Sequence, residues 1–141
     1  MNTTNDGEAD MSEDHSERRQ RGLKMFEEVY GGVVPVPPPE HRGAFFWQTI
    51  DQLFSETWSR PNMSIRDRRL VALGAVAALG ETEMFEIQMR AAVKKGELTE
   101  AQIEDLVLFL PAYISYPRTS KILAISLKIV AEMKAAAAKP A

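Results

Sequence analysis

The chain has 141 residues, 45% of them hydrophobic and 26% charged, with a formal net charge of −3. That length suits one domain with a real core, and that charge speaks against a broad electrostatic grip on nucleic acid. The absence of cysteine removes disulfides, thiolate catalysis, thiolate metal sites and dithiol peroxide chemistry together.

Residues 1–11 are polar and Asn/Asp-rich and are expected to be a disordered tail. They contain no apolar stretch of the signal-peptide kind, and no run approaches the roughly 20 apolar residues of a membrane span. The expectation is a cytoplasmic chain with neither membrane nor nucleic acid as partner. Ser12 is the expected cap of a first helix, which carries Leu23, Phe26 and Tyr30 on one face and stops at Gly31-Gly32. The stretch VVPVPPPEHRG then reads as a stiff, extended connection. Residues 43–58 form a second helix, with Phe46, Ile50, Leu53, Phe54 and Thr57 at helical spacing.

Ser64 opens a third helix, with Asp67 in the reciprocal capping position. Its body, RRLVALGAVAALG, is apolar almost all round, which predicts a central helix surrounded by others. Gly80 ends it. Thr82 is the expected cap of a fourth helix that stops at Gly96. Thr99 and Gln102 form a capping-box signature for a fifth helix, and Pro111 inside its pattern predicts a kink. A sixth helix runs from about Thr119 to Lys134, and residues 136–141 are expected to fray. The fold class is all-α: about six helices in a single domain over residues 12–135.

The segment order RGLKMFEEVYG, TWSRPNMSIRDRRLVALGAVAALG, RAAVKKG and LTEAQIEDLVLFLPAYISYP resembles the carboxymuconolactone decarboxylase family, the Cys-free branch of the AhpD-like superfamily. The resemblance covers about Arg21 to Met133. It implies an AhpD-like helical subunit that assembles into a ring, commonly a trimer or hexamer, with a pocket lined by the third, fourth and fifth helices. The activity it implies is cofactor-free loss of CO2 from 4-carboxymuconolactone. In peroxidase-like relatives the dithiol pair falls on the positions of Glu81 and Met84, and a histidine on that of Gln88. Typical decarboxylase members carry an acid and a histidine at the counterparts of Met84 and Gln88, and often a histidine at that of Phe109. This chain has none of these ionisable groups, which points away from the founding substrate.

Positions 81, 84 and 88 share one helical face. What the resemblance implies as catalytic residues are Gln88, Arg69 and Glu81, with Arg69 as the anion contact, since a guanidinium fork suits a carboxylate. Arg66 and Arg68 stand beside it. Candidate substrate-binding residues are Trp58, Met84, Phe109, Tyr113 and Tyr116 as apolar or phenolic walls, and His41 reaching from the proline loop. Each also has a packing reading: a glutamine or arginine bonded at a subunit interface, a methionine or aromatic in a core. Glu83 and Glu86 read as a solvated N-terminal cluster that suits the helix dipole. His15 and His41 lie far apart, so no metal and no cofactor is expected. The expected partners are a small carboxylic acid or lactone and further copies of the chain. The expected function is a decarboxylase-like lyase or related isomerase. The alternative is a ligand-binding or ring-forming member that has lost its acid/base residues.

Overall fold

The computed structural model describes residues 6–140, with side chains from residue 15 onward. Among them every regular element is helical: α1 (Asp6–Tyr30), a 3-10 turn (Pro39–His41), α2 (Ala44–Gln48) running into a π-helical segment (Thr49–Trp58), α3 (Ile65–Leu79), α4 (Thr82–Lys94), α5 (Glu100–Phe109), α6 (Pro111–Ile114) and α7 (Tyr116–Ala138). The chain divides into two compact units. The first holds α1 and Pro35–Met63; the second holds Gly32–Val34 and everything from Ser64.

In the first unit α1 packs along the π segment. It begins at Asp6, not at Ser12, so the helical part includes residues assigned above to the tail; residues 1–5 of that tail lie outside the described residues. Gly22 allows the close approach: a Cβ there would sit 2.3 Å from the carbonyl oxygen of Ile50. Arg19 grips the Asp51 carboxylate through Nη2 at 3.0 Å and Nε at 3.3 Å, while its guanidinium lies 4.0 Å from the centre of the Trp47 ring. Phe26 meets Phe54 edge-on at 5.0 Å, and Phe54 stacks on Trp58 at 6.5 Å.

The π winding changes which side chains are buried. A π turn closes i→i+5 hydrogen bonds and takes more residues per turn than an α turn. The buried row is Ile50, Asp51, Phe54, Ser55 and Trp58, at spacings of four rather than three. Leu53 and Thr57, expected inward from α-helical periodicity, are exposed.

The second unit is built around α4, which packs against α3 and α7. Its core includes Leu73, Phe85, Met89, Ile103, Ile122 and Ile129. The Ser64 hydroxyl accepts from Asp67 N at 3.0 Å, capping α3. Gly80, at φ 76, closes α3 in a Schellman arrangement: its N–H donates to Ala77 O and that of Glu81 to Val76 O. That bond places Glu81, not Thr82, at the start of α4. Gly96 and Glu97 repeat the arrangement at the other end, donating to Val93 O and Ala92 O. The capping box of Thr99 and Gln102 is present in both directions. At Pro111 the missing donor divides α5 from α6, as its ring chemistry predicts. α7 starts at Tyr116 and continues to Ala138, past Lys134 where the sixth helix was expected to end.

α3 is not enclosed. It buries one row, Arg69, Leu73 and Ala77, and leaves Val71 and Leu79 exposed. Leu108 on α5 and Leu127 on α7 are exposed as well.

Candidate functional site

The most buried polar group is Arg69. The i, i+4 spacing of Arg69, Leu73 and Ala77 puts it on the inward row of α3. Its side chain is 0% exposed and that of its partner Glu97 11%. Nε donates to Glu97 Oε2 at 2.7 Å and Nη2 to Oε1 at 3.1 Å, a bidentate fork. Nη1 donates to Gln88 Oε1 at 3.0 Å. Arg69 and Gln88, expected together at a site, are thus in direct contact, but inside the subunit. The carboxylate that Arg69 was expected to take from a ligand is supplied by Glu97. The physical reason is desolvation: a guanidinium on the inward row of α3 needs a charged partner within the fold.

Sequence reasoning missed Glu97. A signal for it existed, since a residue directly after a Gly C-terminal stop is held by its own N–H and points its side chain in a fixed direction. Nothing in its spacing named Arg69, 28 residues away, as its partner.

The other expected residues lie elsewhere. Glu81 is exposed at the N-terminus of α4, and Met84 is 41% exposed one turn on. Phe109 and Tyr113 contact each other with ring centroids 5.0 Å apart. Tyr113, Tyr116 and Phe109 are all exposed. The Tyr113–Pro117 turn is strained: Ser115 adopts φ 92 and ψ 154, a region almost reserved for glycine. In the first unit Trp58 is buried in the aromatic stack and His41 is exposed. Arg68 is half-buried, and Glu86 is held by Arg90 at 2.8 Å.

Of the concave regions of the second unit that carry cations, two include expected site residues. A cavity of about 170 Å³ lies where α3 turns into α4. Gly80, Glu81, Thr82 and Phe85 form one side; Arg118, Lys121 and Ile122 of α7 form the other, with Leu79 at its edge. Arg118 Nη1 donates to Ala78 O, which holds the guanidinium at the cavity. The lining thus brings two cations and one carboxylate beside Leu79, with Phe85 and Ile122 buried beneath. A second, larger groove runs between α3 and α5 and includes Phe109. Among the described residues no group of three or more His, Cys, Asp or Glu is placed to hold a metal ion, and no helix is long and apolar enough to cross a membrane.

No protein-family model matches the chain. Among curated proteins it is similar to the 4-carboxymuconolactone decarboxylase of Acinetobacter baylyi, with 27% identity over 108 residues, covering 74% of this chain and 80% of that protein. The likeness supports the relation to a decarboxylase-like family that the sequence motifs carry.

Proposed function

We propose that the chain is a cofactor-free carboxy-lyase acting on a small unsaturated cyclic acid or lactone, in a ring-shaped oligomer. The observation that carries this reading is the cavity at Gly80, which sets Arg118 and Lys121 against the apolar surfaces of Leu79, Phe85 and Ile122. The relative from Acinetobacter baylyi bears the name of such an enzyme.

Decarboxylation breaks the bond between a ring carbon and its carboxylate. The electron pair passes into the conjugated lactone carbonyl, CO2 leaves, and a proton is returned to carbon. A cation at the carbonyl stabilises the enolate oxygen. Arg118 supplies the fixed positive fork and Lys121 the mobile ammonium that returns the proton. Glu81 lies within the same lining. The electron sink is the substrate's own carbonyl, so the reaction needs no metal, and activity is expected to survive EDTA. Arg69 and Gln88 act behind this cavity, bracing α3 against α4 through Glu97. Tyr113 and Tyr116 serve as aromatic walls for a neighbouring subunit.

The substrate is less polar than 4-carboxymuconolactone. Met84, Gln88 and Phe109 stand where the family resemblance implies ionisable groups, so the reading departs from the founding substrate, although none of the three lines the cavity at Gly80. Turnover is measured by CO2 release from 4-carboxymuconolactone and from bulkier lactone monoacids, with Arg118→Ala and Lys121→Ala alongside. The expected result is preference for the monoacid and a loss of about 10² in kcat/KM for either variant. Unchanged turnover in both variants would remove the cavity from the mechanism.

The sealing of Arg69 by Glu97 favours a second reading, a ligand-binding member without chemistry. It is distinguished by recovering the bound acid: release unchanged after long incubation supports binding alone.

A further inference from the structure

The groove between α3 and α5 takes no part in the reaction proposed above. It encloses about 510 Å³, within the range of small-molecule sites. Leu70, Gly74, Leu106 and Phe109 supply apolar surface, and Arg66 and Asp105 supply charge.

Gly74 is the informative residue. It lies inside the fifteen-residue α3, where glycine costs about 1 kcal/mol relative to alanine. Neither of the usual reasons for a glycine applies. Its φ is not positive, and a Cβ at this position would meet nothing within 4 Å. The chain itself therefore gains nothing from the missing side chain, apart from a groove floor lowered to the level of the helix backbone.

Arg66 sets the chemistry of one end. Its Nε donates to Glu97 O at 2.9 Å, and Nη1 stands 3.7 Å from Asp67 Oδ1. These contacts fix the guanidinium while its side chain stays 40% exposed, with N–H donors of its five still facing outward. Arg66 and Gly74 are eight residues apart, about 12 Å along the helix. Phe109 offers a ring face to whatever extends that far. Asp105 would repel a second carboxylate.

We propose that this groove binds an apolar monocarboxylic acid with an aromatic or branched body, its carboxylate on Arg66 and its body over Gly74 and beside Phe109. The site is independent of the lyase reading, because it shares no lining residue with the cavity at Gly80.

The probe is 4-phenylbutyrate, with 4-phenylbutanamide as its uncharged counterpart. Each is titrated calorimetrically into the full chain, with amide shifts of the labelled protein locating the site. The acid is expected to bind at least about tenfold more tightly than the amide, since the charge-assisted bonds to Arg66 are lost in the latter. Arg66→Gln should erase that difference. Gly74→Ala should raise the melting temperature and weaken the acid. Gly74→Leu should abolish binding while light scattering shows the same particle mass as the parent. Equal affinity for acid and amide, shifts located outside the groove, or no saturation at millimolar acid would each overturn the proposal. A change of particle mass in Gly74→Leu would also overturn it, by making the groove a seat for a second copy of the chain.

Discussion

Removing the Glu97 carboxylate is the sharpest perturbation this structure offers. Glu97→Ala leaves the backbone arrangement alone, because the Gly96 and Glu97 N–H groups still donate to α4. It takes away both oxygens of the fork at 2.7 and 3.1 Å from a guanidinium with no solvent exposure. Gln88 remains, but it is neutral and cannot replace the charge. Breaking a buried pair from one side costs about 3–5 kcal/mol, because the buried guanidinium loses its bidentate carboxylate. Glu97 keeps slight solvent access, which favours the lower end, about 3 kcal/mol. For a chain of this size that lowers the melting temperature by roughly 10 °C. Urea melts at a fixed protein concentration measure it, since assembly would otherwise shift the apparent stability. The matched control is Glu97→Leu with Arg69→Met. Removing both charges should recover most of the loss, as apolar replacements of buried pairs commonly do. A single variant that loses less than about 1 kcal/mol, or a double variant as weak as the single one, would refute the argument that Arg69 depends on Glu97.

The exposed apolar residues Val71, Leu79, Leu108 and Leu127 lead us to expect a particle of several 15.8 kDa chains in light scattering at micromolar concentration; a monomer would contradict this. Gly22→Ala forces a Cβ to 2.3 Å from Ile50 O, so chemical denaturation should show a loss of about 1–3 kcal/mol, and a parental melt would show that α1 and the π segment are less tightly apposed. The Arg90 guanidinium, hydrogen-bonded to Glu132, holds that carboxyl below its ordinary value of 4.5. A depressed carboxyl adds stability above its unfolded value and loses it as pH falls through the folded value. Thermal melts of the parent and of Glu132→Gln should therefore converge on acidification, and a constant gap down to acid pH would show that the ion pair contributes nothing.

Local chemistry was legible in the sequence wherever a residue acts on its near neighbours. Thr99 and Gln102 announced the start of α5 and bond in both directions; Pro111 announced the break after it; Gly80 and Gly96 announced the ends of α3 and α4 at positive φ. What failed needed information from outside the window. Leu53 and Thr57 were placed inward by α-helical spacing, and only the backbone winding of 49–58 turns them out. The cap of α4 was assigned to Thr82 because its hydroxyl is a good acceptor, but the preceding turn draws Glu81 back to Val76. The interior partner of Arg69 belongs to a residue past the end of a different helix.

The candidate site shows why a shared face is not a shared environment. Glu81, Met84 and Gln88 are spaced for one side of a helix, but Glu81 stands at the cap of α4 and Gln88 lies about 10 Å further along the axis. At the near end the face meets solvent and the cavity at Gly80, with Glu81 in its lining. At the far end the same face enters the core, where Gln88 is 4% exposed and bonds the Arg69 guanidinium. Chemistry placed at 81 and chemistry placed at 88 therefore answer to different rules. A charged group at 81 is exposed and can meet a ligand. A group at 88 must be satisfied by the fold before it can serve anything else, and a glutamine whose oxygen accepts from a sealed arginine meets that demand without a charge of its own. Depth along α4 thus separates the roles open to positions 81 and 88. It also makes Arg118 and Lys121, at the shallow end, the groups whose removal should alter a reaction at this site.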